Sequence, residues 1–205
     1  MMEVATFSLV EGLPALPRHR VIEVCGQSSS PFALLAAERM QGQALWVRSI
    51  QSPIHPYGHG LSFFIAPNRL CFVGTATLKD TLWAAEEGLR SGGVGSVLVD
   101  LPRPPSLTET RRLQLAAAEG QSLGLILCPP HQRATAATMR WMCDPVSSCD
   151  WDSTHWQWKL IKNKIGTIGL DQGWVVAFHV QTRALDLVSK AGSRPRHAPE
   201  GLSSH

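Results

Sequence analysis

The residues Cys25-Gly26-Gln27-Ser28-Ser29-Ser30-Pro31-Phe32-Ala33 stand where a phosphate-binding loop would stand, after an apolar run (Val21, Ile22, Val24) and before a helical pattern over residues 31–40. A working loop reads G-x-x-x-x-G-K-[ST]: backbone N–H groups cradle phosphates, the Lys reaches the terminal ones and the hydroxyl ligates Mg²⁺. Gly26 keeps the first position, but Pro31 replaces the second glycine, Phe32 the Lys and Ala33 the hydroxyl residue. Proline has no N–H to donate, phenylalanine has no charge and alanine offers no oxygen to a metal. Ser28, Ser29 and Ser30 still present hydroxyls and N–H groups at a helix start, which suits an anion. Phe32 and Ala33 point instead to a helix packed inward and a filled pocket. Asp100 ends a later apolar run and matches the metal-side carboxylate of such a site, while the run expected to carry a water-orienting Glu reads Ala44-Leu45-Trp46-Val47-Arg48-Ser49-Ile50 without an acid. One carboxylate alone does not hold a metal and a triphosphate. No ATP hydrolysis is expected, and Asp100 reads as a strand-end polar acceptor.

Other groups carry less. His55 and His59 flank Pro56-Tyr57-Gly58 with no neighbouring carboxylate, and read as solvated loop histidines. The five cysteines (Cys25, Cys71, Cys128, Cys143, Cys149) are odd in number and contain no C-x-x-C, so they read as reduced thiols, buried at Cys25, Cys71 and Cys128. Cys128, His131, Cys143 and Cys149 fit no usual zinc-ligand spacing. No metal and no cofactor is expected. Trp141, Trp151, Trp156, Trp158 and Trp174 crowd the last third beside Arg140, Lys159, Lys162 and Lys164. In strand alternation Trp156, Trp158 and Leu160 share one face, and Gln157, Lys159 and Ile161 the other. Such aromatics pack a core, meet a protein partner or stack on single-stranded bases. Trp156, Trp158, Lys159, Lys162 and Lys164 are therefore the candidate partner or nucleic-acid contacts.

The elements that must position these groups alternate along the chain. Residues 1–17 form a lead-in, with Pro14 and Pro17 expected to stop regular structure. Strands are expected at 21–25, 44–47, 70–73, 94–99 and 123–128, and helices at 31–40, with Pro31 at the first position, and 77–91. Ser106-Leu107-Thr108-Glu109 is a capping box opening a third helix that Gly120 closes. Residues 49–69 read as a loop with at most one short element. Unbroken apolar strands separated by helices argue for a mostly parallel sheet covered by helices on both faces. Residues 140–143, 156–161 and 174–180 read as antiparallel additions at one edge. The domain is drawn at 18–188, with a disordered tail at 189–205 containing Arg194, Arg196 and His197. At 205 residues, 44% apolar and net charge +3, the chain is an ordinary single domain without the dense basic cluster of a dedicated nucleic-acid binder. No apolar run nears the roughly 20 residues of a membrane span, and no secretory leader pattern opens the chain.

Two stretches carry a resemblance. Val21-Ile22-Glu23-Val24-Cys25-Gly26 with Ser29-Ser30 resembles the strand and loop that open the ATPase core of RecA recombinases. Trp83-Ala84-Ala85-Glu86-Glu87-Gly88-Leu89-Arg90-Ser91-Gly92-Gly93, continuing through Val94 to Asp100, is similar to RecA's helix and Walker B strand. The inducible-mutagenesis accessory proteins of the ImuA family are a closer match. Their characteristic stretches correspond to residues 80–90, to Leu107-Thr108-Glu109-Thr110-Arg111-Arg112-Leu113, to Leu123-Gly124-Leu125-Ile126-Leu127, and to two later segments that begin at Ala136 and Trp156. The resemblance spans roughly residues 18–182. It implies a RecA-like α/β core and a non-catalytic accessory role in SOS-induced translesion synthesis. The implied partners are an ImuB-like Y-family protein, an error-prone C-family DNA polymerase and RecA, with DNA contacted weakly or indirectly and a cytoplasmic, nucleoid-associated location. A single-stranded nucleic-acid-binding module is the alternative.

Overall fold

The structure, a computed structural model, describes residues 4–52, 56–148, 151–165 and 173–191. Its strands in chain order are β1 (Thr6–Phe7), β2 (Leu16–Pro17), β3 (Val21–Cys25), β4 (Gln43–Ser49), β5 (Leu70–Thr75), β6 (Val94–Asp100), β7 (Leu123–Leu127), β8 (Met139–Val146), β9 (Ser153–Asn163), β10 (Gly173–His179) and β11 (Ala184–Ala191). The helices are α1 (Ser29–Glu38), α2 (Gly58–Leu61), α3 (Leu78–Arg90) and α4 (Leu107–Glu119). β1 and β2 pair as a separate ribbon, and the other strands form a nine-stranded, mostly parallel sheet in the order β11-β10-β9-β8-β3-β7-β6-β4-β5. The fold is thus mixed α/β.

β8 is the pivot. It runs parallel to β3 and antiparallel to β9, so residues 140–143 are not an antiparallel addition. A parallel neighbour needs a long return connection, and residues 128–138 supply it without a helix. That loop is tied back where the Thr138 N–H donates to the Val21 carbonyl at 2.8 Å. Beyond β8 the sheet continues antiparallel through β9, β10 and β11.

The helices form where local chemistry asks for them. The Thr77 hydroxyl accepts the Asp80 N–H to cap α3, and Gly92 takes φ +65° just beyond its end. Ser106 and Glu109 make the reciprocal capping box of α4. α1 begins at Ser29, two residues earlier than the proline suggests, so Pro31 sits at the third helical position. Its missing N–H belongs to a first turn that has no intrahelical acceptor in any case. Residues 49–69 hold α2 and a 3₁₀ turn at Pro67–Arg69, with Ile65 buried beneath them.

Alternate residues of each strand feed two apolar layers. One gathers Ile22, Val24, Leu98, Leu125, Trp141, Trp158 and Trp174 with Phe32 and Leu34 of α1. Phe7, Leu9, Val10 and Leu16 join it, so residues 6–17 carry paired strands and core side chains instead of stopping structure. The other layer sets Val21, Cys25, Val97, Val99 and Ile126 against Ala85 and Leu89 of α3 and Leu113, Ala116 and Ala117 of α4. β11 continues through Ala191, past the boundary drawn at 188. The rest of the expected tail, with Arg194, Arg196 and His197, lies outside the described residues, as do His55 and Cys149. Among the described residues no helix is long and apolar enough to cross a membrane.

Candidate functional site

The loop after β3 turns at Gly26, whose φ of +94° suits glycine and where a Cβ would collide with the Cys143 carbonyl oxygen. That close approach decides what the loop's donors do. The Gln27 N–H donates to Asp144 Oδ1 at 3.2 Å. The Ser28 N–H donates to the Cys143 carbonyl at 2.9 Å and the Ser29 N–H to the Gly26 carbonyl at 3.3 Å. A carboxylate and a carbonyl of β8 thus accept from amides that a phosphate would otherwise engage.

Phe32, in the place of the phosphate-reaching Lys, is 0% exposed. Its ring lies 5.5 Å from Trp141 and 4.8 Å, edge-on, from Trp158. Burying such a ring contributes about 1.5–3 kcal/mol, with more from the aromatic geometry. Ala33 is equally buried, and Ser29, Ser30 and Pro31 are partly so. Asp100 ends β6 with Arg48 Nε 3.9 Å from its carboxylate. Burial pushes the Asp100 carboxyl above its ordinary range, against the pull of Arg48. The acid is where the pattern put it, with a cation beside it.

Trp156 and Trp158 both face the core, 4% and 0% exposed, with rings stacked 6.2 Å apart. Neither presents a face to a base, which corrects their place among the contact candidates. Lys162 and Lys164 reach the loop after β7: Lys162 Nζ donates to the Thr135 carbonyl at 2.7 Å, and Lys164 Nζ to the Thr135 and Ala136 carbonyls at 3.3 Å. Burial, then Lys164, brings the Lys162 ammonium down to about 8. Lys159 is half-buried on β9. His59 packs its ring against Phe63 at 5.2 Å.

The opposite face of β3 and β8 holds a polar cluster that sequence reasoning did not assemble. Glu23, 0% exposed, sits across from Arg140 in the parallel register and accepts from Arg140 Nε at 2.6 Å. The rest of that guanidinium donates to the carbonyls of His131 (3.2 Å) and Arg133 (2.8 Å) and to the Thr135 hydroxyl (3.3 Å). One arginine therefore pins the return loop onto β3. His131 Nε2 lies 3.8 Å from Glu23 Oε2, while its Nδ1 accepts the Arg133 N–H. Burial, then Arg140, lowers the His131 pKa and favours the neutral ring. Cys25 and Cys128 bring their sulfurs to 3.8 Å in the same place. Their mutual hydrogen bond holds one thiol down and the other up: Cys25 is lowered and Cys128 raised. Cys143 belongs to the aromatic layer on the other face, so the grouping of Cys128 and His131 with Cys143 does not form. The signal for the real grouping was the short spacing Cys128-x-x-His131 together with a cysteine closing β3.

Comparison of the chain with protein-family models and with curated protein sequences gives no match.

Proposed function

We propose that this chain is a non-catalytic assembly subunit built on a RecA-like core with helices over both faces of its parallel strands, of the kind the ImuA resemblance implies. The observation that carries the reading is the occupied loop: Gln27 and Ser28 donate into β8, and Phe32 fills an aromatic slot where the phosphate-reaching Lys would stand. A subunit whose loop is closed by its own β8 associates without regard to nucleotide. In this reading it scaffolds an error-prone polymerase complex in SOS-induced translesion synthesis, through an ImuB-like Y-family protein, a C-family polymerase, or RecA itself. Its cytoplasmic, nucleoid-associated location follows from those partners.

Residues 6–17 are drawn into the core, which leaves the outer edge of the parallel block for contact. There β5 is the terminal strand, Phe72 is 49% exposed and Trp83 on α3 is 61% exposed. Aromatic side chains of this kind anchor interfaces. The nucleic-acid alternative loses its stacking pair to the core and keeps the lysines alone.

The test is association of the purified chain with RecA and with the Y-family and C-family partners, with and without ATP, over a range of salt. The reading expects a complex indifferent to ATP and weakened by Phe72→Glu or Trp83→Glu. ATP turnover lost in Asp100→Ala contradicts it. So does affinity for single-stranded DNA that falls steeply with salt while no protein partner binds, since that slope marks counterion release from phosphates.

A further inference from the structure

The Cys25, Cys128 and His131 cluster has a geometry that neither the fold nor the assembly role requires. One ligand atom from each residue lies within 4.8 Å of the others. The two sulfurs stand 3.8 Å apart. A disulfide would need about 2.05 Å. Two thiolates each ~2.3 Å from one tetrahedral Zn²⁺ stand about 3.8 Å apart. The spacing, that of a hydrogen bond between two thiols, is also that of two thiolate donors sharing an ion.

A second observation points the same way. Glu23, completely buried beside His131, has its Oε1 without a hydrogen-bond partner among the described residues, and so does His131 Nε2, on a side chain 4% exposed. Unsatisfied buried polar atoms of this kind are uncommon and call for an explanation such as an ion. The charges also balance. Glu23 is matched by Arg140, and two thiolates with a neutral imidazole match a divalent cation.

We propose that Cys25, Cys128 and His131 bind a thiophilic divalent cation of the Zn²⁺ class, with the Glu23 carboxylate, 3.8 Å from the His131 ring, as a buried outer-shell neighbour. Cys25 closes β3 at the foot of the loop, and Cys128 and His131 open the return to β8. The ion therefore staples two loops at the C-terminal ends of the adjacent interior strands β3 and β7, the end of the sheet where the phosphate loop also lies. It holds by coordination the corner that a nucleotide and its Mg²⁺ hold in working loops of this type. The assignment stands apart from the assembly role.

The experiment is titration of the reduced, chelator-treated full chain with Co²⁺ and then Zn²⁺, following thiolate-to-cobalt charge-transfer absorption and metal content after gel filtration. The expected result is one equivalent bound, displaced by Zn²⁺, with the unfolding temperature raised by metal. Cys25→Ala combined with Cys128→Ala should abolish the charge-transfer band, and Cys71→Ser should leave it unchanged. Glu23→Gln should weaken affinity about 10–100-fold, as expected when an outer-shell partner is lost. Should the double variant fail to fold, protection of the Cys25 and Cys128 thiols from alkylation by Zn²⁺ in the wild-type chain, read by peptide mass spectrometry, decides the point. No stoichiometric uptake, uptake that survives loss of both cysteines, thiols left unprotected, or a Cys25–Cys128 disulfide in the freshly isolated chain would overturn the proposal.

Discussion

The two faces of β3 and β8 are built on opposite principles. On one, Ile22, Val24 and Trp141 meet Phe32, Trp158 and Trp174 in an apolar layer. On the other, Glu23 and Arg140 meet His131, Thr135 and Lys162 in a network of ion pairs and directed hydrogen bonds. Alternation along two adjacent strands separates them. The aromatic face gains from non-directional burial, and it is the face that consumes the loop's phosphate chemistry. The polar face gains little net stability from its charges, because each had to be desolvated. What it gains is a fixed geometry: one arginine holds three points of a loop that has no helix of its own. A chain under pressure for stability alone would do better with apolar side chains there, so the polar face is where a second role is to be sought.

The comparison breaks most visibly at Phe32. Phe32→Lys restores the residue type a phosphate loop uses, yet places an ammonium in a fully buried aromatic slot. The expected result in urea unfolding is a loss of about 4 kcal/mol or more, or no folded protein. A stable variant that gains ATP affinity would show that the slot is a vacant nucleotide site.

On the polar face the expectation is strong coupling. Arg140→Met alone leaves Glu23 buried and unpaired and should cost about 3–5 kcal/mol. Glu23→Leu with Arg140→Met should cost clearly less than the sum of the single changes in a double-mutant cycle. Additive losses would mean that the pair is not a unit.

Ser106→Ala touches neither face and calibrates both. Removing the capping hydroxyl of α4 should cost about 1 kcal/mol, and a loss as large as that of Arg140→Met would show that the chain unfolds from its helices.

The smallest effect is in pH. Lys162 falls to about 8 in the fold from 10.5, so the unfolded chain binds more protons between those values and stability should rise with pH across that window. Lys162→Met should flatten the rise, and an unchanged slope would remove Lys162 from the buried network.

The parts that were legible in the sequence are those written in contiguous residues. Apolar runs gave β3, β6 and β7, a one-sided stripe gave α3, and Ser106 with Glu109 gave the start of α4. The direction of β8 was not legible, because residues 139–143 alternate in the same way whether a strand runs parallel or antiparallel to its neighbour. Its direction is set by the return over residues 128–138. The side of Lys162 was hidden for a related reason. Simple alternation puts it on the face of Trp158 and Leu160, but a register shift between β8 and β9 at Arg140/Trp141 seats it opposite Arg140. The meeting of Cys25 and Cys128 is a product of sheet order, since parallel pairing of β3 with β7 closes a separation of 103 residues. The loop substitutions at Pro31, Phe32 and Ala33 were plain in the sequence. What fills the space, Asp144 and the Cys143 carbonyl from β8, was not.

The most direct test is calorimetric titration of Mg²⁺-ATP into the full chain, paired with its unfolding temperature at the same nucleotide concentrations. A ligand that binds the native state alone raises that temperature in proportion to its occupancy. The predicted result is no saturable heat and no shift up to millimolar nucleotide. Saturable binding with a rising unfolding temperature would contradict the account, since it would mean that Gln27 and Ser28 release β8 and that Phe32 and Asp144 do not close the site.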